Sequence, residues 1–98
     1  HFEINDNILN TADSVMTDVF NSMNDTDNKE EILKKFQVNE QLMSNTNKNT
    51  VFMHCLPAKI GSEVTDEVID GKNSVIWQQV ENKLHMHKAL IWTMLNKK

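Results

Sequence analysis

His54 and Cys55, the latter the chain's only cysteine, close the apolar run VFMHC just ahead of its only proline, Pro57. A thiol beside an imidazole raises three chemistries: a nucleophile with its base, a metal-binding pair, or a small apolar side chain ending a strand. The dyad is disfavoured, because adjacent residues on a strand point to opposite faces. A structural zinc site takes four ligands in paired spacings, and the sequence around Cys55 supplies none. His85 and His87 do not chelate together either: two residues apart on a helix, they diverge by roughly 200°. They read as surface or packing histidines. Asp18, directly after the apolar run SVMT, is the other group placed to do chemistry.

Both sites sit at the ends of segments that read as buried strands. Residues 14–18 (SVMTD) and 51–55 (VFMHC) are apolar or β-branched runs, and 73–77 (NSVIW) reads as a third. Helices fill the gaps. Ile8, Leu9 and Ala12 suit a short helix over 7–12, and Asp27 caps a second over 28–37, with acids early and lysines late. A third covers 38–44. Thr65 caps the DEVID turn that Gly71 ends, and residues 78–98 form a long final helix. Strands alternating with helices imply an α/β fold with a parallel sheet. Roughly thirty residues separate the first two strands, enough for a right-handed crossover. In such a sheet ligands bind beyond the carboxyl ends of the strands, so Asp18 and the His54-Cys55-Leu56 segment are expected at one edge. About three strands with flanking helices make a partial, doubly wound Rossmann-like sheet, half of a larger domain. The α/β portion spans 1–77 and the closing helix 78–98.

The chain's 98 residues suit one small domain. A net charge of −4 with no basic cluster argues against a nucleic-acid partner. No apolar stretch reaches about 18 residues and no secretory signal is visible, so neither a membrane nor export is expected. One cysteine forms no internal disulfide, which fits a reducing cytoplasm. No metal or other cofactor is expected.

The motifs themselves add a resemblance. FMHCLPA, followed by GSEVTDEVIDGKNSVIWQQVENKLHMHKAL, closely resembles the C-terminal segment of the ornithine carbamoyltransferases, whose pattern is H-C-L-P-A, E-V-T-D-E-V, a Gly-x-x-S start and an E-N-R-L-H helix. Upstream, MTDVFNSMN resembles the family's T-D-V-W-x-S-M-G segment and FQVNEQLM its linking helix. The resemblance runs over essentially the whole chain.

It implies transfer of a carbamoyl group from carbamoyl phosphate to the side-chain amine of L-ornithine, giving L-citrulline and phosphate, as in arginine biosynthesis. Asp18 matches the residue that pairs with the α-ammonium of ornithine, and Ser22 and Met23 match a mobile loop that closes over it. Cys55 matches a residue at ornithine's side-chain amine, as a positioning group. His54, Cys55 and Leu56 match residues at the carbamoyl group, with His54 a hydrogen-bond donor to its oxygen. Lys83 stands where the family has the carbamoyl-phosphate-binding arginine, keeping the charge without the bidentate fork. The family's N-terminal carbamoyl-phosphate domain is absent from these 98 residues, so the chain alone is expected to be inactive. A homotrimer is expected of the complete enzyme, and an exposed apolar face of the final helix is expected here. Two rivals remain: a carbamoyltransferase for another amine (putrescine or an N-acylated ornithine) and a non-catalytic amino-acid-binding relic.

Overall fold

A computed structural model describes residues 3–21 and 30–97. Asn5 opens the first helix, α1 (Asp6–Leu9), its side chain accepting from the Asn7 amide at 2.9 Å. The chain then enters β1 (Ser14–Thr17), and beyond the undescribed stretch resumes as α2 (Glu30–Leu33), which tightens into a 3₁₀ turn over Lys34–Phe36. The expected cap at Asp27 lies outside the described residues. Asn39 caps α3 (Glu40–Ser44), accepting from the Leu42 amide at 2.9 Å as an N-cap side chain should. Next come β2 (Val51–His54), α4 (Asp66–Ile69) and α5 (Ile76–Leu95).

β1 and β2 pair in parallel, Ser14 against Val51 through Thr17 against His54. That register places the carboxyl ends of both strands side by side. Along β2 the side chains alternate, Phe52 and His54 buried and Val51 and Met53 half-buried. Phe52 is fully buried and joins Val38, Val64, Val68, Ile69 and Ile76 in the core.

The third strand is corrected by the structure. NSVIW contributes one parallel bridge, Ser74 beside Phe52, held by Phe52 N–H to the Asn73 carbonyl (2.8 Å) and Val75 N–H to the Phe52 carbonyl (2.9 Å). Val75 then turns out of the extended region (ψ 23°), and α5 starts at Ile76 rather than 78. The apolar run marks the entry of a helix into the core, and a short run cannot tell that from a buried strand. The sheet is therefore two-stranded among the described residues. α1 is also shorter than expected, and Val38 bridges Val64 before α3 rather than belonging to it. Thr65 stands at the cap of α4, but its hydroxyl makes no capping bond. Gly71 closes that turn because space is short: a Cβ there would lie 2.6 Å from the Glu67 carbonyl oxygen.

α5 leaves the body of the fold. Only Ile76 is buried, while Val80, Leu84, Ile91 and Leu95 recur at helical spacing with substantial exposure. The projection shows in the radius of gyration, 16.1 Å, against about 12.6 Å for a compact chain of this length. No helix among the described residues is long and apolar enough to cross a membrane.

Candidate active site at the strand ends

Asp18 follows the last residue of β1 and Cys55 the last residue of β2, so the parallel register brings them together. The Cys55 thiol donates to Asp18 Oδ1 at 3.1 Å, and the Val19 amide donates to the same oxygen at 2.7 Å. The thiol's bond, with the amide second, holds the Asp18 carboxyl below its ordinary value. The same bond, followed by burial and the charge of Asp18, pushes the thiol up. Cys55 therefore stays a neutral donor at physiological pH. Since the thiolate is the reactive species, this environment opposes nucleophilic chemistry at sulfur.

α5 completes the edge from the other side. Gln79 and Lys83 are four residues apart and share one helical face. Gln79 Oε1 accepts from the His54 backbone amide at 3.0 Å, and Lys83 Nζ donates to the Cys55 carbonyl at 3.1 Å. Two consecutive residues of the strand end are thus anchored by two consecutive turns of the helix. The result is an ammonium, a thiol and a carboxylate arranged along one open edge.

His54 faces the other way. Its side chain and that of Glu63 are fully buried, with His54 Nε2 3.0 Å from Glu63 Oε1. Nδ1 accepts from the Leu56 amide at 2.9 Å, which assigns the ring proton to Nε2 and makes Glu63 its acceptor. Glu63 Oε1 also accepts from the Lys59 amide at 2.6 Å. With both ring nitrogens engaged, His54 as placed has no donor to offer a carbamoyl oxygen, unlike the role the resemblance implies. Leu56 is held at φ 55°, the left-handed region that non-glycine residues seldom adopt, and its bond to Pro57 is cis.

Of the residues expected in a site, Asp18, Cys55 and Lys83 are brought together, Leu56 lies next in the chain, and His54 supports them from beneath. Ser22 and Met23 lie outside the described residues. Sequence reasoning missed Gln79 and Glu63. Gln79 had a faint signal, one turn before Lys83 on the same face; Glu63 had a motif signal, as the first residue of E-V-T-D-E-V, but nothing that paired it with His54. His85 and His87 are both exposed, with His85 3.5 Å from Glu81 one turn earlier. Among the described residues no three His, Cys, Asp or Glu side chains are grouped to hold a metal ion.

Comparison with known proteins gives a consistent picture. The family model described as "Aspartate/ornithine carbamoyltransferase, Asp/Orn binding domain" matches residues 2–94. Ornithine carbamoyltransferase of Hyperthermus butylicus is 52% identical over 87 residues, covering 86% of this chain and 28% of the relative. The solved ornithine carbamoyltransferase of Burkholderia thailandensis superposes with a TM-score of 0.79 at 41% identity, over 93% of this chain and 28% of that one. That of Pyrococcus furiosus gives 0.78 at 44% identity, over 88% and 28%. The chain thus spans a little over a quarter of the length of these relatives.

Proposed function

The chain belongs to the aspartate/ornithine carbamoyltransferase family, matching its Asp/Orn-binding domain, and from that premise we propose that it forms the ornithine half-site of a carbamoyltransferase making L-citrulline. The observation that carries the reading is the line of Lys83, Cys55 and Asp18 at the strand ends. Each group fits one part of the reactants. Both bonds to Asp18 fall on Oδ1, leaving Oδ2 for the α-ammonium of L-ornithine. Cys55, a thiol held neutral, sits where a side-chain amine is to be oriented. Lys83 offers positive charge to the anionic end of carbamoyl phosphate, and the Leu56 carbonyl faces the carbamoyl NH₂. Ser22 and Met23 are assigned to ornithine by the resemblance.

The chemistry asks for little more. The side-chain amine has a lysine-like pKa near 10 and must lose a proton before it attacks. Its nitrogen then bonds to the carbamoyl carbon, negative charge gathers on the oxygen, and the carbon–oxygen bond to phosphate breaks. Citrulline and phosphate remain. Holding amine and carbon in attacking geometry supplies much of the rate. His54 contributes by supporting the strand end.

The same reading assigns carbamoyl-phosphate binding to an N-terminal domain and a homotrimer to the complete protein. It also places these residues within a larger doubly wound domain, and the enzyme in the cytoplasm. Neither rival reading is favoured: relatives named ornithine carbamoyltransferase match over 86% and 89% of this chain, whereas a solved acetylornithine transcarbamylase matches over 62% of it. The test is citrulline formation by the complete polypeptide carrying these residues, beside Cys55→Ala and Asp18→Ala. Loss in both variants supports the reading; no turnover in the folded parent rejects it.

A further inference from the structure

We infer that Glu63 is a positioning residue for the site, acting through His54 to set the Leu56 peptide. The inference rests on the carbamoyl-transfer reading for what Leu56 does, but the linkage itself is in the geometry. Glu63 Oε1 receives two hydrogen bonds, from His54 Nε2 at 3.0 Å and from the Lys59 amide at 2.6 Å. The first selects the tautomer that leaves Nδ1 bare, and Nδ1 accepts the Leu56 amide at 2.9 Å. Were the proton on Nδ1 instead, two N–H groups would face each other and the contact would be lost.

Leu56 needs such a restraint. At φ 55° it sits where a branched side chain is seldom found, and such a backbone persists only when its surroundings over-determine it. Three anchors flank this stretch: Gln79 on the His54 amide, Lys83 on the Cys55 carbonyl, and His54 on the Leu56 amide. The third alone runs through a buried ionisable pair. Glu63 Oε2 is buried without a hydrogen-bond partner among the described residues, so the carboxylate is not placed to satisfy itself. Its engaged oxygen ties the loop after Pro57 to the ring that orients the reacting edge. Because one oxygen takes both donors, a glutamine with its carbonyl in that place keeps both bonds, whereas alanine loses them.

The experiment compares Glu63→Gln, Glu63→Ala and, as a stability control, Val64→Ala in the complete polypeptide. Val64 is equally buried but makes no bond to His54. Expected for Glu63→Ala is a fall in kcat on the order of 10²-fold, the scale of a misplaced reacting group. The KM for ornithine should stay within roughly threefold. Glu63→Gln should recover kcat to within about fivefold, and Val64→Ala should lose thermal stability with kcat near the parent's. Nitrogen NMR of the His54 ring should show the proton on Nε2 in the parent and in Glu63→Gln, and a disturbed Leu56 amide in Glu63→Ala. A Glu63→Gln variant as slow as Glu63→Ala overturns the inference, as does a Glu63→Ala loss matched by Val64→Ala. If the parent makes no citrulline, the transfer reading fails by itself, and the NMR still decides the linkage: a proton on Nδ1, or a Leu56 amide indifferent to Glu63→Ala, rejects it.

Discussion

Truncating Phe52 to alanine should cost more than any other single change on the sheet, because Phe52 is where three elements meet. Its backbone pairs with Val15 on one side and with Asn73 and Val75 on the other, and its ring is fully buried among Val64, Val68, Ile69 and Ile76. Phenylalanine-to-alanine changes in such positions cost about 3–5 kcal/mol, combining lost transfer energy with the cavity left behind. A domain of this size is stable by about 5–15 kcal/mol in all, and among the described residues six buried apolar side chains form the core. A loss of about 4 kcal/mol lowers the unfolding midpoint by roughly 15–30 °C at 4–8 °C per kcal/mol. Met16→Ala is the control: it lies on β1, two residues from Asp18, yet is more than half exposed. It should stay within about 0.5 kcal/mol of the parent. Thermal and urea unfolding followed by circular dichroism measures both. A Phe52→Ala loss under about 1 kcal/mol, or one equal to that of Met16→Ala, would refute the account of where the core lies.

The remaining predictions concern the site, a turn and the long helix. Alkylation of Cys55 at neutral pH should be slow in the parent and faster in Asp18→Asn, because the aspartate is the first cause of the raised thiol; an unchanged rate would show that the carboxylate does not control the sulfur. Asp18 has a lowered folded value, so its bond contributes stability above the ordinary 3.8, lost as pH falls through the folded value. Since Asp18 is exposed, that effect is small and fades with salt, which an acid titration of the unfolding midpoint with Asp18→Asn alongside would reveal. Gly71→Ala should destabilise by about 1–3 kcal/mol, as its Cβ meets backbone oxygens rather than movable side-chain ends; a neutral result in urea unfolding would mean the turn relaxes freely. The 98-residue chain should self-associate through α5, and Leu84→Lys with Trp92→Lys should suppress this in sedimentation velocity. A parent that sediments as a monomer would refute it.

Much of the architecture was legible because its signals are local. Two apolar runs with β-branched residues became β1 and β2, and their parallel pairing put Asp18 beside Cys55 across 37 residues of sequence. The third run misled for an equally local reason: Ser74, Val75 and Ile76 are apolar or β-compatible enough for a strand, yet only tertiary packing decides whether such a run stays extended. Here one bridge to Phe52 was enough before the chain turned into α5.

The pairing of His54 with Glu63 and Gln79 was not legible. Sequence spacing correctly held His54 and Cys55 apart, since neighbours on a strand face opposite ways, but it had no means of naming what lies beneath. Glu63, nine residues on, and Gln79, 25 residues on, reach His54 only because the loop after Pro57 and the start of α5 fold back onto the strand end. By itself, then, the sequence determined the family, the α/β order and which residues meet at the strand ends, because these reside in residue types and motif order. Tertiary structure alone decided which way each side chain points and which atoms share a proton. Such pairings depend on ångström-scale approach between segments that no local pattern encodes.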